Sequence, residues 1–308
     1  MFFETPVALL TFARPLETAR VLEVVRQLHP RTLLVVSDGA REGRPDEAER
    51  VAQTRALFET IDWDCDLRTN FAPENMGCRK RVSSGVDWVF QQVERAIILE
   101  DDCLPSPAFF SYCAEMLERY QDNPEVMTIS GMTYFSGKHR IADSYHFSRY
   151  PLIWGWASWA RAWRHYDVDM ADWPQQKAAG LLRRVIGDRV LELRLEEMFD
   201  HVHGGFDTWD LQLLYASIKQ GGLNVIPVTN MILNIGYGEL ATHTKGGPPT
   251  AVRQMRLGEL SFPLSHPASV IRDASGDRRI EHATRMRPRW KRMPGYLWAN
   301  RRRLLGLS

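Results

Sequence analysis

Strand-like and helical segments alternate through the first third of this chain. Four short segments, at residues 6–12, 31–36, 66–71 and 96–99, have the length of strands, and all but the third are strongly apolar. The segments between them repeat apolar residues every three or four positions, which is typical of amphipathic helices. Strands joined by helices in this way pair in parallel. The sequence therefore predicts an α/β fold with a mostly parallel central sheet flanked by helices.

Three consecutive acids, Glu100, Asp101 and Asp102, follow the fourth predicted strand. Ligands of open parallel sheets bind beyond the carboxyl ends of the strands, so we expect these side chains to face a binding site. Adjacent carboxylates repel one another and resist burial unless a cation lies among them. Mn²⁺ and Mg²⁺ favour carboxylate oxygens, so the pattern predicts a metal on Asp102, with Asp101 and Glu100 near a ribose or sugar. The alternative is a solvated loop after a buried strand.

Composition fits a soluble globular protein, with 44% hydrophobic and 25% charged residues among 308. We expect one continuous domain over residues 1–262, with a nucleotide-binding half at 1–130 and a mixed, acceptor-side half at 131–262. The net charge of +1 gives no field that would recruit nucleic acid. No apolar run is long enough for a transmembrane helix, and the N-terminus does not resemble a signal peptide. The four cysteines lack metal spacing and predict reduced thiols in a cytoplasmic protein.

The last segment, residues 263–308, reads as a basic and aromatic C-terminal extension. From Arg285 onward it contains eight basic residues and no acid, with Trp290 and Trp298 interleaved. Such a tail suits an anionic membrane surface at the inner face of the cell membrane. A tail that folds back on the body is the equal alternative.

Further candidates lie at other predicted strand and helix ends. Asp38 follows the second strand, where its carboxylate suits a base or ribose, although Asp-Gly also forms common turns. Arg79 and Lys80 follow Asn75 at a predicted helix start, where cations are unfavourable unless a diphosphate binds there too. The alternative for both is a solvated basic face.

The second half contributes aromatic and acidic candidates. Trp154 and Trp156 lie in a segment rich in tryptophan and glycine, where they would either stack on acceptor sugars or pack in the core. Asp210 suits a general base at a pocket mouth, or an acid favoured by a helix dipole. His243 is a candidate metal ligand, although a lone histidine is usually structural.

In this order along the chain, the motifs resemble the GT-A class of nucleotide-sugar glycosyltransferases, a Rossmann-like fold. They are most similar to the group related to the Golgi N-acetylglucosaminyltransferase that begins complex N-glycans, and to bacterial family 2-like glycosyltransferases. The resemblance covers about residues 6 to 245. The matching pieces are residues 6–15, 37–39, 75–77, 99–102, Pro105, 109–110, 209–210 and 241–243.

The resemblance implies a metal-dependent inverting glycosyltransferase, either hexosyl- or N-acetylhexosaminyl-transferring. A UDP-sugar would be the donor, a glycan or glycolipid hydroxyl the acceptor, and Mn²⁺ or Mg²⁺ the cofactor. Asp210 would be the base, Asp102 and His243 the metal ligands, and Trp154, Trp156 and Trp209 the acceptor side. Donor binding would fall to Thr11, Phe12, Arg14, Asp38, Asn75, Arg79, Lys80, Glu100 and Asp101. The alternatives are a sugar nucleotidyltransferase, which the glycine-free residues 11–15 disfavour, and a non-catalytic glycan- or membrane-binding module.

Overall fold

Ten strands form the framework of the part of the chain that the structure describes. A computed structural model describes residues 2–135, 141–237, 250–284 and 286. The strands are β1 (Val7–Thr11), β2 (Thr32–Ser37), β3 (Asp66–Phe71), β4 (Arg95–Glu100), β5 (Cys103–Pro105), β6 (Val126–Ser130), β7 (Tyr145–Ser148), β8 (Trp156–Trp159), β9 (Leu223–Pro227) and β10 (Ile232–Asn234).

Helices fill most of the connections between these strands. They are α1 (Pro15–Leu28), α2 (Pro45–Ala56), α3 (Gly77–Gln92), α4 (Pro107–Arg119), α5 (Ala160–Trp163), α6 (Trp173–Ala178), α7 (Leu181–Ile186), α8 (Arg189–His203), α9 (Asp210–Gln220), α10 (Thr250–Arg253) and α11 (Ala274–Ala283). Helices α1, α2 and α4 each begin on a proline, whose missing N–H costs nothing in the first turn.

Eight of the strands pair in one sheet, in the order β3-β2-β1-β4-β8-β6-β9-β7. The first four run parallel, β8 runs antiparallel to both of its neighbours, and β7 runs antiparallel to β9. Strands β5 and β10 form a separate antiparallel pair. The prediction of a mostly parallel central sheet flanked by helices is confirmed, and the strand arrangement agrees with the GT-A type.

Apolar cores cover both faces of the sheet. Alternate residues of each parallel strand point to opposite faces, so Leu9 and Leu33 join one core while Leu10 and Leu34 join the other. Helices cover both faces, and this explains why β1, β2 and β4 are apolar along most of their length rather than at every second position.

The register of the parallel strands brings three strand ends to one level. Thr11 lies opposite Ser37, and Leu10 lies opposite Glu100. The residues that follow these strands, including Asp38 and Asp101, therefore meet at one edge of the sheet. This edge is where the sequence predicts a binding site.

The second half differs from its sequence-based description in two places. The tryptophan-rich segment contains β8, which lies inside the sheet between β4 and β6. The chain also stays on the body beyond residue 263, where a C-terminal extension was expected to begin. There, buried Ile280 packs in the core, Asp277 accepts a 2.5 Å hydrogen bond from Ser148, and Glu281 accepts one from Tyr150 at 2.7 Å.

Two other expectations concern the setting of the protein. Within the described ranges, no helix has the length and hydropathy to cross a membrane. All four cysteines are free, as predicted. Residues 287–308, which carry the proposed membrane anchor, lie outside the described residues, so the anchor and the cytoplasmic location stay predictions.

Candidate active site

A cavity of about 390 Å³ opens at the carboxyl ends of β1, β2 and β4. This volume lies within the range of ordinary small-molecule sites. Nine of the predicted site residues line it: Thr11, Phe12, Arg14, Asp38, Asn75, Glu100, Asp101, Asp102 and Trp154. The motifs that the sequence singles out after separate strands thus surround one space.

Arg14 lies between two of the three acids. Its Nη1 atom donates to Oδ1 of Asp101 at 2.8 Å and to Oδ2 of Asp102 at 2.7 Å. Burial opposes the charge of Arg14, but the two carboxylates outweigh it and raise the pKa of the guanidinium. The acids repel one another and therefore require a positive group among them. Arg14, at the start of α1, supplies it.

Asp101 is also held by the backbone. The amide N–H of Phe12 donates to its Oδ2 atom at 2.9 Å, and only 4% of the residue is exposed. Burial raises the pKa of Asp101 to about 6, although Arg14 opposes the rise. The carboxylate thereby fastens the end of β4 to the residue after β1.

Glu100 is the least satisfied acid of the cluster. Its carboxyl group has no hydrogen bond or ion pair with another described residue. Burial, followed by the charges of Asp102 and Asp101, raises its pKa to about 8. A cation or hydrogen-bond donor brought by a ligand would relieve this position.

Asp38 organises the loop that precedes α3. Its Oδ1 atom accepts from the amides of Gly39 and Met76, both at 2.9 Å, and its Oδ2 atom accepts from Nδ2 of Asn75 at 3.0 Å. A side chain at Gly39 would place its Cβ 2.5 Å from the backbone of Glu74, so glycine is required there. Asp38 thus forms the turn and also lines the cavity, and its contact with a base or ribose stays a prediction.

The start of α3 is occupied by a carboxylate from elsewhere in the chain. Asp207 accepts from the amide of Arg79 at 2.7 Å and from that of Cys78 at 3.3 Å. The sequence predicts a diphosphate at this helix start. Instead, Asp207 caps α3 from a distant loop.

Arg79 and Lys80 do not line the cavity. The guanidinium of Arg79 donates to the carbonyl oxygens of Val168 and Val202 and pairs with Asp169, so it connects α3 to the second half of the chain. Lys80 is exposed. The expectation that these two side chains bind the donor is not met in this structure.

The cation that α3 directs at the cavity is Arg81. It is 6% exposed, its Nη2 atom donates to Oδ1 of Asn70 at 2.8 Å, and its buried Nε atom has no partner. The sequence indicates this inward orientation of Arg81, because the residue shares a helix face with buried Gly85 and Val89 at intervals of four residues. The other wall residues that the sequence analysis does not assign to the site are Leu10, Val36, Arg41, Gly77, Cys78, Val82, Asp207, Asn234, Gly236 and Tyr237.

The chain after β10 closes one side of the acid cluster. The amide of Ile235 donates to the carbonyl oxygen of Asp102 at 2.8 Å. A Cβ atom at Gly236 would lie 2.1 Å from Oδ2 of Asp102, so only glycine allows this approach. Two distant segments therefore fix the position of Asp102.

A second cavity, of about 250 Å³, adjoins the first. Trp154 lines both cavities, and Asp210 lines the second. Asp210 is the first residue of α9, and its carboxylate accepts a short hydrogen bond from the hydroxyl of Thr208. Its charge also contributes to the raised pKa of Glu100, after burial and the adjacent acids. The structure thus brings Asp210 near the acid cluster across the wall formed by Trp154.

The structure corrects the acceptor assignment of two tryptophans. Trp156 is 1% exposed and Trp209 is 2% exposed, and their rings stack with centroids 5.7 Å apart in the core. An acceptor sugar has no access to either ring. Trp154 alone among the three borders open space.

The expected metal ligands are only partly described. His243 lies outside the described residues. Among the residues that the structure does describe, no group of three or more His, Cys, Asp or Glu side chains is arranged to hold a metal ion. A metal here would have to be held by Asp102 together with groups of a ligand.

No protein-family model matches the chain, and no curated protein matches it. Similar folds occur among solved structures. A 4-diphosphocytidyl-2C-methyl-D-erythritol synthase from Anaerococcus prevotii is 11% identical, with a TM-score of 0.33, over 57% of this chain and 76% of that one. Mannose-1-phosphate geranyltransferase from Thermus thermophilus is 12% identical, with a TM-score of 0.33, over 73% and 74%.

Mouse xyloside xylosyltransferase 1, in its apo form, is 13% identical to this chain, with a TM-score of 0.32. The alignment covers 70% of this chain and 82% of that one. Identities this low concern the fold and do not assign an activity.

Proposed function

We propose that this protein is a metal-dependent inverting glycosyltransferase. It transfers a sugar from a nucleotide diphosphate, with UDP-sugars favoured, to a hydroxyl group of a glycan or glycoconjugate. The observation that carries the proposal is the pair of adjoining cavities. One contains the acid cluster at the strand ends, the other contains Asp210, and Trp154 forms part of both walls.

The charge of the first cavity supports a cation as part of the donor complex. Five carboxyl groups line it, against the three guanidinium groups of Arg14, Arg41 and Arg81. A diphosphate adds further negative charge, so it needs positive charge beyond these three. The carboxylate and phosphate oxygens would then outnumber the guanidinium groups, and such oxygens are the ligands that Mn²⁺ and Mg²⁺ favour.

The donor set around Asp102 fits such an ion. Its Oδ2 atom is paired with Arg14, and among the described residues its Oδ1 atom accepts a hydrogen bond only from the thiol of Cys103, at 3.6 Å. Mg²⁺ is commonly bound through one or two carboxylates together with substrate phosphates. When bound, the ion supplies Lewis-acid stabilisation of the departing diphosphate.

The residues of the chain supply the rest of the reaction. Arg14 and Arg81 contribute fixed positive charge to the side of the cavity that would face the nucleotide. Asp210 takes the proton of the acceptor hydroxyl as its oxygen bonds to the anomeric carbon. The bond from that carbon to the phosphate oxygen breaks, and its electron pair leaves with the nucleoside diphosphate.

Two variants of similar chemistry test the proposal. Asp210→Asn removes the base and keeps the shape, so sugar transfer should fall by about 10²- to 10⁴-fold while UDP binding is retained. Asp64→Asn changes an exposed acid that lines neither cavity, and it should leave both unchanged. Nucleoside diphosphate release from UDP-sugars, with and without an acceptor, is the readout. Full activity in Asp210→Asn would overturn the assignment of the base.

The same assay separates glycosyl transfer from nucleotidyl transfer. A nucleotidyltransferase would release pyrophosphate from UTP and a sugar phosphate, whereas the proposed reaction releases UDP. The connection from β1 to α1 contains only residues 12–14 and no glycine, so it lacks a phosphate-binding loop of the type that such enzymes use.

A further inference from the structure

The walls of the second cavity are mostly apolar. Asp210 carries the only charge among the described residues that line it. The rest of the wall comes from the residues around 132–134 and 150–154, from α9, and from the end of α11. Its apolar members include Leu152, Leu211, Leu214, Ile280 and Met286.

Three of the five polar side chains in this wall already have a hydrogen bond within the protein, including Asp210, which accepts one from Thr208. The hydroxyl of Tyr150 donates to Glu281 at 2.7 Å, and that of Thr284 donates to the carbonyl oxygen of Ile280 at 2.7 Å. Among the described residues, the groups left for a ligand are Oδ2 of Asp210, the hydroxyl of Tyr134 and the indole N–H of Trp154. Trp154 also lines the first cavity, and Tyr134 lies near Asp210.

Tyr134 shows this placement most clearly. Burial raises its pKa to about 12, and the neighbouring Tyr237 and Asp210 add to the rise. Tyr237 lines the first cavity and its ring meets that of Trp154 edge-on, with centroids 6.3 Å apart. The polar groups of the second cavity thus gather at its junction with the first, and the far wall is apolar.

A free oligosaccharide does not suit such a wall. Each hydroxyl group buried there without a partner loses its hydrogen bonds to water, and this cost exceeds any gain from contact. An apolar group gains from leaving water at the same place. The polar junction and apolar interior therefore match a ligand with a hydroxyl at one end and an apolar body at the other.

We propose that the second cavity binds the acceptor through an apolar aromatic or aliphatic group next to the reacting hydroxyl or the sugar that carries it. The inference rests on the proposed glycosyl transfer and narrows its acceptor to compounds with an apolar portion. Engineered apolar cavities of about 150 Å³ admit a benzene ring, so about 250 Å³ accommodates one ring with short substituents.

The reaction follows from this placement. The hydroxyl lies at Asp210, whose carboxylate takes its proton, and the oxygen bonds to the anomeric carbon as the bond to the phosphate breaks. The apolar group keeps the acceptor in position and excludes water, which would otherwise hydrolyse the donor.

Phenyl β-D-glucoside and methyl β-D-glucoside provide matched probes, since they share the sugar and differ in the apolar group. Calorimetric titration is carried out on the full chain in the presence of saturating UDP and Mn²⁺. Burial of the ring predicts that the phenyl compound binds at least about tenfold more tightly. Equal affinity for the two glucosides, or no binding of either, overturns the inference.

Variants locate the binding. Leu211→Ala removes part of the apolar wall and should abolish most of the preference for phenyl, and Met286→Ala tests the opposite side of the cavity. Leu67→Ala truncates another partly buried leucine, in β3, that lines neither cavity, and it should keep the full preference. A preference retained in both cavity variants would also overturn the inference.

The titration of UDP itself separates this inference from the proposed function. If UDP binds and the two glucosides bind with equal affinity, the proposed transferase activity is retained and the proposal of an apolar acceptor group is rejected. If UDP does not bind while the phenyl preference persists, the apolar site stands and the proposed function fails.

Discussion

Nη1 of Arg14 lies 2.7 Å from Oδ2 of Asp102, the carboxylate for which the sequence predicts a metal ion. The same nitrogen bonds to Asp101, so one guanidinium serves two acids. The positive charge that three adjacent carboxylates demand is therefore supplied partly by the protein. Glu100 has no such partner among the described residues, so the proposed function places a second cation beside it.

Removal of Arg14 should be costly for stability. Arg14→Met leaves two buried carboxylates without their cation, and we expect it to lower the free energy of unfolding by about 3 kcal/mol. Arg31→Met removes the exposed pair with Glu4 and should cost less than about 1 kcal/mol. Urea denaturation of the three proteins measures the difference, and equal losses for the two variants would contradict the account.

Trp154 and Trp156 should differ in what their removal changes. Trp156→Ala empties a position in the core and should destabilise the protein by about 3 to 5 kcal/mol. Trp154→Ala removes a wall between the cavities, so it should cost less stability and weaken acceptor binding more. Denaturation and acceptor titration together check the pair. Similar denaturation midpoints for both variants would contradict the placement of Trp156 in the core.

Asp38 should affect the nucleotide through the loop that it holds. Asp38→Ala releases the amides of Gly39 and Met76 and the side chain of Asn75, so we expect UDP affinity to fall by about 10- to 100-fold. Calorimetry of UDP binding measures the loss. Unchanged affinity in a folded variant would remove Asp38 and its loop from the nucleotide site.

Glu47 should contribute a pH dependence to stability. The hydrogen bonds from Arg41, which outweigh burial, lower the pKa of Glu47 from its ordinary value of about 4.5. A lowered folded-state pKa means that the stabilisation is present above the unfolded-state value and is lost as the pH falls below it. The free energy of unfolding should therefore fall more steeply below about pH 4.5 in the wild type than in Glu47→Gln. Parallel curves would contradict this.

The sequence predicts the site best where a single strand end determines it. Glu100 ends β4, Asp101 and Asp102 follow it, and Asp38 follows β2, so parallel pairing alone brings these acids together. The partners of these acids are harder to predict. Arg14 lies 87 residues from Asp101, and nothing in local spacing distinguishes it from other arginines.

The direction in which each side chain points explains most of the wrong predictions of site residues. Arg79, Lys80 and Arg81 are consecutive, but only Arg81 faces the cavity, and helical periodicity with Gly85 and Val89 predicts that choice when it is applied. Trp156 and Trp209 are core residues because β8 lies inside the sheet, and a short antiparallel strand has no distinctive pattern in the sequence. Asp207 caps a helix about 130 residues away, a contact that only the tertiary fold creates.

In the proposed function, Asp102 and a divalent cation bind the donor diphosphate together. Calorimetric titration of UDP into the wild type and Asp102→Asn, each with and without Mn²⁺, isolates this joint binding. Mn²⁺ should strengthen UDP binding by tenfold or more in the wild type and should have no such effect in Asp102→Asn. UDP binding that is equally strong in all four titrations would rule out the joint site.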